Sequence, residues 1–123
     1  MSPVQRSITG TLRLSLQDEI GIVRDQLRTT GERTARTLVK HGPLRTTLVG
    51  LAAGGTLKSH KADGPITVQV LEGTVEFEAE GQRWTLPTGS LLALESGITH
   101  SVSAPDGGVF LLTVASVEAK GTD

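Results

Sequence analysis

The 123-residue sequence has no cysteine and no tyrosine, and its aromatic side chains stop at Phe77, Trp84 and Phe110. Without thiols there is no disulfide, no zinc–thiolate or iron–sulfur site and no cysteine nucleophile. With so few aromatic rings, a surface that stacks nucleic-acid bases is not expected. Neither sign of charge dominates, since 12 Lys and Arg oppose 13 Asp and Glu. A basic footprint for nucleic acid or an anionic membrane is lacking, so neither is an expected partner. No run reaches the ~18 consecutive apolar residues of a membrane span. The Met1–Arg6 segment also lacks the apolar stretch of a signal peptide. A soluble, cytoplasmic protein is the default.

What is present leans towards β structure. There are 15 glycines, and Val and Thr are frequent. Residues 1–13 show no period and read as an arm. Leu16, Ile20, Val23 and Leu27 then recur at spacings of four, three and four, which lines one face of a helix over 15–29. Ser15 with Asp18 resembles a capping box, and Gly31 is a plausible stop.

Beyond the helix the pattern is extended. Strands are expected at 34–40, 44–52, 56–60, 66–71, 74–80, 83–86, 90–94, 98–104 and 109–116. Turns fall at Gly42-Pro43, Gly54-Gly55, Glu72-Gly73, Gly81-Gln82, Pro87-Thr88-Gly89 and Glu95-Ser96-Gly97. Glu76, Glu78 and Glu80 alternate with Val75, Phe77 and Ala79, a strand with one wet face. Short strands at intervals of about ten residues with Gly or Pro at the corners define an all-β sandwich or barrel. A single domain over 1–123 is expected, with arm and helix at 1–30 and the barrel at 33–116.

Transition-metal chemistry could fall only on His41, His60 and His100 as strong ligands. His41 precedes Gly-Pro at a strand end and reads as a surface residue. Asp63, in the loop directly after His60, is a further candidate ligand, but beside Gly64-Pro65 it reads more readily as a turn residue. Trp84 reads as a core or interface anchor. Gly54-Gly55 is no phosphate loop, because neither a Lys-Ser/Thr nor a helix follows. No nucleophile elbow or dinucleotide fingerprint is present.

The segment Gly54 to His100 resembles the two motifs of the cupin superfamily. In the first motif, a Gly is followed after five residues by His-x-His, then a Glu, then six residues and a Gly. Gly54, His60 and Gly73 fit that spacing. In the second, a Gly is followed after five residues by Pro-x-Gly and later by a His. Gly81, Pro87-Thr88-Gly89 and His100 fit it. The match covers roughly residues 44–115 and implies a jelly-roll barrel of cupin type carrying one N-terminal helix. By this register His60 and His100 occupy two ligand positions, while Ala62 and Ile66 stand where a His and a Glu would be. Gln69 is the one polar side chain that could serve nearby as a weak ligand or a hydrogen-bonding group. Strand parity sets it opposite Ile66 unless a bulge intervenes.

The resemblance implies a small-molecule-binding cupin whose partly degenerate metal-type pocket contains His60, His100 and Gln69. The alternative is an enzyme of dioxygenase or isomerase type, using a divalent metal (Mn, Fe, Ni, Zn or Cu) weakly held by His60 and His100. A third reading gives the helix to a partner or second subunit. A homodimer is the default assembly, because it would cover open β edges.

Overall fold

The computed structural model describes residues 7–116. Helix α1 spans Leu16–Thr30 and is followed by β1 (Arg33–His41), β2 (Leu44–Leu51), β3 (Gly55–His60) and β4 (Ile66–Ala79). The chain continues through β5 (Gln82–Pro87), β6 (Leu91–Leu94), β7 (His100–Ala104) and β8 (Gly108–Ala115). All pairings are antiparallel. The result is an all-β jelly-roll barrel with an N-terminal helix.

The sequence pattern separates residues 66–71 from 74–80 by a turn, but the structure joins them into one 14-residue strand, β4. Its first half pairs with β6 and β8, and its second half with β5 and β7. A bulge falls between Val70 and Glu72, where Val70 faces Phe110 and Glu72 faces Val109. The extra residue reverses the side-chain parity. Ile66, Val68 and Val70 therefore point into the barrel before the bulge, and Val75, Phe77 and Ala79 point into it afterwards. Leu71, thrown to the other side, packs beneath the helix. A single strand thus turns the corner between two sheets and keeps an apolar face inward in both.

The next turn is also shifted by one residue from the expected Gly81-Gln82. Ala79 pairs with Gln82, leaving Glu80 and Gly81 as a two-residue loop with φ of 54° and 74°. Both values are positive, as a type I′ hairpin requires.

Two apolar clusters hold the molecule. Inside the barrel, Val49, Leu51, Val102, Ala104 and Phe110 join the inward residues of β4, and Trp84 packs half-buried against them. Outside it, Val23 of α1 packs with Leu38, Leu48 and Val109, flanked by Ile20. Helix and sheet approach closely at Gly50, where a Cβ would lie 2.4 Å from Val23 Cγ1. The helix ends as its sequence suggests. Ser15 Oγ accepts from the Asp18 N–H, and the Gly31 N–H donates to the Leu27 carbonyl. Its apolar face packs on its own barrel through Val23 and Ile20, while Leu16, expected on that face, is 37% exposed.

Glu19 in the first helical turn is buried against Arg36 of β1 and accepts a hydrogen bond from its Nε. Arg24 likewise pairs with Glu72, immediately beyond the bulge. The first pair fixes the helix over β1 in a partly desolvated setting. Glu19→Ala is expected to destabilise the fold by about 2 kcal/mol, since it strands a half-buried guanidinium. Urea unfolding checks this, and Arg24→Ala at the more exposed pair should have less than half the effect.

Candidate functional site

His100 opens β7 and His60 closes β3, and the two residues face each other in the antiparallel register. Their pairing depends on a second bulge. Leu57 faces Val102, yet His60 rather than Ser59 faces His100, because the register shifts between Leu57 and His60. The imidazole rings meet edge to face with centroids 4.3 Å apart. Phe77 of β4 lies on the other side of His100, stacked at 5.4 Å and 12° between planes. His100 is buried, and His60 is exposed at the rim.

Each ring is held by a backbone carbonyl two residues earlier. His60 Nδ1 lies 2.8 Å from the Lys58 oxygen, and His100 Nδ1 lies 2.9 Å from the Ile98 oxygen. A carbonyl oxygen only accepts, so Nδ1 carries the proton in both rings. In the neutral tautomer Nε2 then holds a lone pair, and among the described residues it has no hydrogen-bond partner. Burial pushes His100 below the usual imidazole value, the Ile98 carbonyl partly offsets this, and His60 lowers it slightly further.

These rings line a cavity of about 340 Å³ at the mouth of the barrel, together with Ile66, Leu112 and Val114. Ala62 is in the same lining, and its carbonyl accepts from the Gly97 N–H, tying the loop after β3 to the loop before β7. Gln69 does not join the cavity. The register of β4 against β8 is uninterrupted from Ile66 to Val70, so Gln69 faces outward and is exposed, opposite Leu91 and Leu111. His41 also lies elsewhere, where its Nδ1 accepts from the Ile8 N–H and pins the N-terminal arm.

Two charged residues of the lining, Arg45 and Lys61, carry no site role in the sequence reading. Asp63 sits in its turn yet still borders the cavity. The signal for Arg45 is strand parity, because β2 pairs with β8 without a break and Arg45 shares a side with the buried Val49 and Leu51.

A cupin metal site calls for three or four protein donors, and the donor set here does not supply them. The remaining ligand positions carry Ala62 and Ile66, both apolar and both in the lining. No group of three or more His, Asp or Glu side chains with metal-binding geometry occurs among the described residues. Protein incubated with Mn, Fe, Ni, Zn or Cu and then desalted is expected to retain far less than stoichiometric metal. Elemental analysis checks this, and full retention that vanishes in His60→Ala would contradict it.

The lowered His100 value has a consequence for stability. The unfolded chain takes up the proton at the ordinary value of 6.5, before the folded chain does. Stability contributed by neutral His100 is therefore complete above 6.5 and is lost as pH falls through the lowered native value. Urea midpoints measured from pH 8 to about 5 should fall on acidification, and His100→Gln should remove part of that slope.

A curled antiparallel barrel with ligand positions at its mouth is the architecture of the cupins. The match to the AraC-like ligand binding domain covers residues 47–118, more than half of the chain, and the protein belongs to that family. No curated protein sequence matches the chain. Among solved structures it is similar to a conserved protein of unknown function from Streptococcus pyogenes, with 24% identity, a TM-score of 0.71, and coverage of 97% of this chain and 98% of that one. A cupin-2 domain protein from Shewanella frigidimarina shows 16% identity and a TM-score of 0.68, over 83% of this chain and 93% of the other. A salicylate 1,2-dioxygenase from Pseudaminobacter salicylatoxidans shows 18% identity and a TM-score of 0.74, with 83% of this chain matching 34% of the enzyme. At these identities the likeness concerns the fold. No helix among the described residues is long and apolar enough to cross a membrane.

Proposed function

We propose that the protein is a small-molecule-binding cupin that seats its ligand in the barrel mouth, with His60 and His100 as polar contacts. One observation carries this reading: two adjacent imidazoles, anchored through Nδ1, leave their Nε2 atoms without described partners in a cavity walled by Ile66, Leu112 and Val114. Apolar walls with a few placed polar groups are the usual make-up of a small-molecule site, and this lining adds the charged Arg45, Lys61 and Asp63 to that pattern. The volume of about 340 Å³ lies at the small end of such sites. Membership of a ligand-binding family supports the same reading. The two absent ligand positions favour capture over metal-assisted chemistry, because Ala62 and Ile66 make this mouth more apolar.

Thermal-shift screening against small acids, phenols and sugars tests the proposal. A compound that raises the melting temperature should lose most of its effect in His60→Ala, whose exposed position leaves the core intact. It should keep that effect in His41→Ala, a change outside the cavity. Equal responses of the two variants would place the ligand somewhere else and end this reading.

A further inference from the structure

We propose that the ligand is a small hydroxycarboxylate, its carboxylate held by Arg45 and its hydroxyl by an imidazole Nε2. This rests on the barrel-mouth reading above and adds the chemical class of the occupant. The cavity offers two kinds of polar group. Arg45 and Lys61 bring positive charge, and Asp63 is the one carboxylate of the lining. No salt bridge joins Asp63 to either cation among the described residues. Two cations against one carboxylate leave the lining net positive, which is matched by a monoanion. A planar guanidinium fork binds a carboxylate through paired hydrogen bonds better than it binds a hydroxyl.

The imidazoles ask for something different. With Nδ1–H committed to the Lys58 and Ile98 carbonyls, Nε2 is the acceptor of each neutral ring. A carboxylate brought to them would meet lone pairs, whereas a hydroxyl donates into one. Arg45 reaches the cavity from β2, across the barrel from the histidines on β3 and β7. The donor and the acceptors therefore come from different walls, and the ligand must present both functions on one small frame. Ile66, Leu112 and Val114 give that frame an apolar surface to lie on.

The test is calorimetric titration of the full chain with matched sets of probes: mandelate, phenylacetate and 2-phenylethanol, together with 2-hydroxybenzoate, benzoate and phenol. In at least one set the hydroxy acid is expected to bind about tenfold or more tightly than either the deoxy acid or the neutral alcohol. Arg45→Met should remove the preference for the acid over the alcohol and leave alcohol binding unchanged. Arg45→Lys should restore part of that preference. Neutral alcohols that bind as tightly as the acids, with binding lost in His60→Ala, would overturn the hydroxycarboxylate assignment and leave the barrel-mouth site standing. Acid binding unchanged in Arg45→Met would overturn it as well. Binding by no probe, or binding indifferent to His60→Ala, would count against both readings.

Discussion

Phe77→Ala is expected to remove about 3–5 kcal/mol of folding stability, the range for deleting a buried aromatic side chain. Phe77 is fully buried in the barrel core and cross-strand to Trp84. It also forms the floor on which His100 stacks. The substitution therefore has two consequences. A cavity opens in the main cluster, where neighbouring strands are tied by backbone hydrogen bonds and collapse poorly. The imidazole above it loses its support and its fixed orientation. Phe77→Leu separates the two, because a smaller apolar residue keeps most of the packing at a cost of about 1 kcal/mol. Urea unfolding gives the stabilities. Ligand affinity measured on Phe77→Leu reports the positioning of His100, and it should fall even though the fold is retained.

Gly73→Ala should destabilise by about 2–5 kcal/mol, combining the left-handed backbone cost for an L-residue with steric overpacking. Gly73 has φ of 72°, and a Cβ there would lie 2.5 Å from the Gly107 carbonyl oxygen. That atom belongs to the backbone and cannot swing away as a side-chain tip would. The position follows the bulge at which β4 passes from one sheet to the other, so strain there acts on both halves of the barrel. A destabilised bulge puts the inward placement of Phe77 and Ala79 at risk together. Near-UV circular dichroism of Trp84 should weaken in parallel with the urea midpoint. For contrast, Gly97→Ala has an open space around its Cβ and only the backbone strain of φ 81°, so its effect should be smaller.

Most of the architecture was legible in the sequence because local signals and burial agree. The α1 face, its Ser15 cap and the Gly31 stop follow directly from spacing and composition. The strand ends fall near glycine and proline, and the two motif registers converge on His60 and His100 as cross-strand neighbours. Bulges are what the sequence does not display. Glu72-Gly73 has the composition of a turn, and only the pairing of Val109 and Phe110 with both flanks shows that the strand continues. The bulge before His60 is equally silent. Simple alternation from Leu57 would have set Ser59 beside His100. Gln69 illustrates the converse, since no bulge separates it from Ile66 and ordinary parity turns it to solvent. Arg45 was missed because a charged residue near a strand start reads as a solvated end. Its place in the cavity depends on β8, which joins β2 from more than sixty residues further along the chain.

The central claim is that a small molecule sits in the barrel mouth against both His60 and His100. Nitrogen-15 spectra of the imidazole side chains test it most directly, because the chain has three histidines and one of them lies elsewhere. With a ligand that raises the melting temperature, the Nε2 signals of His60 and His100 should shift together while His41 stays in place. Signals of His60 and His100 unmoved at saturation, or a shift confined to His41, would contradict the account.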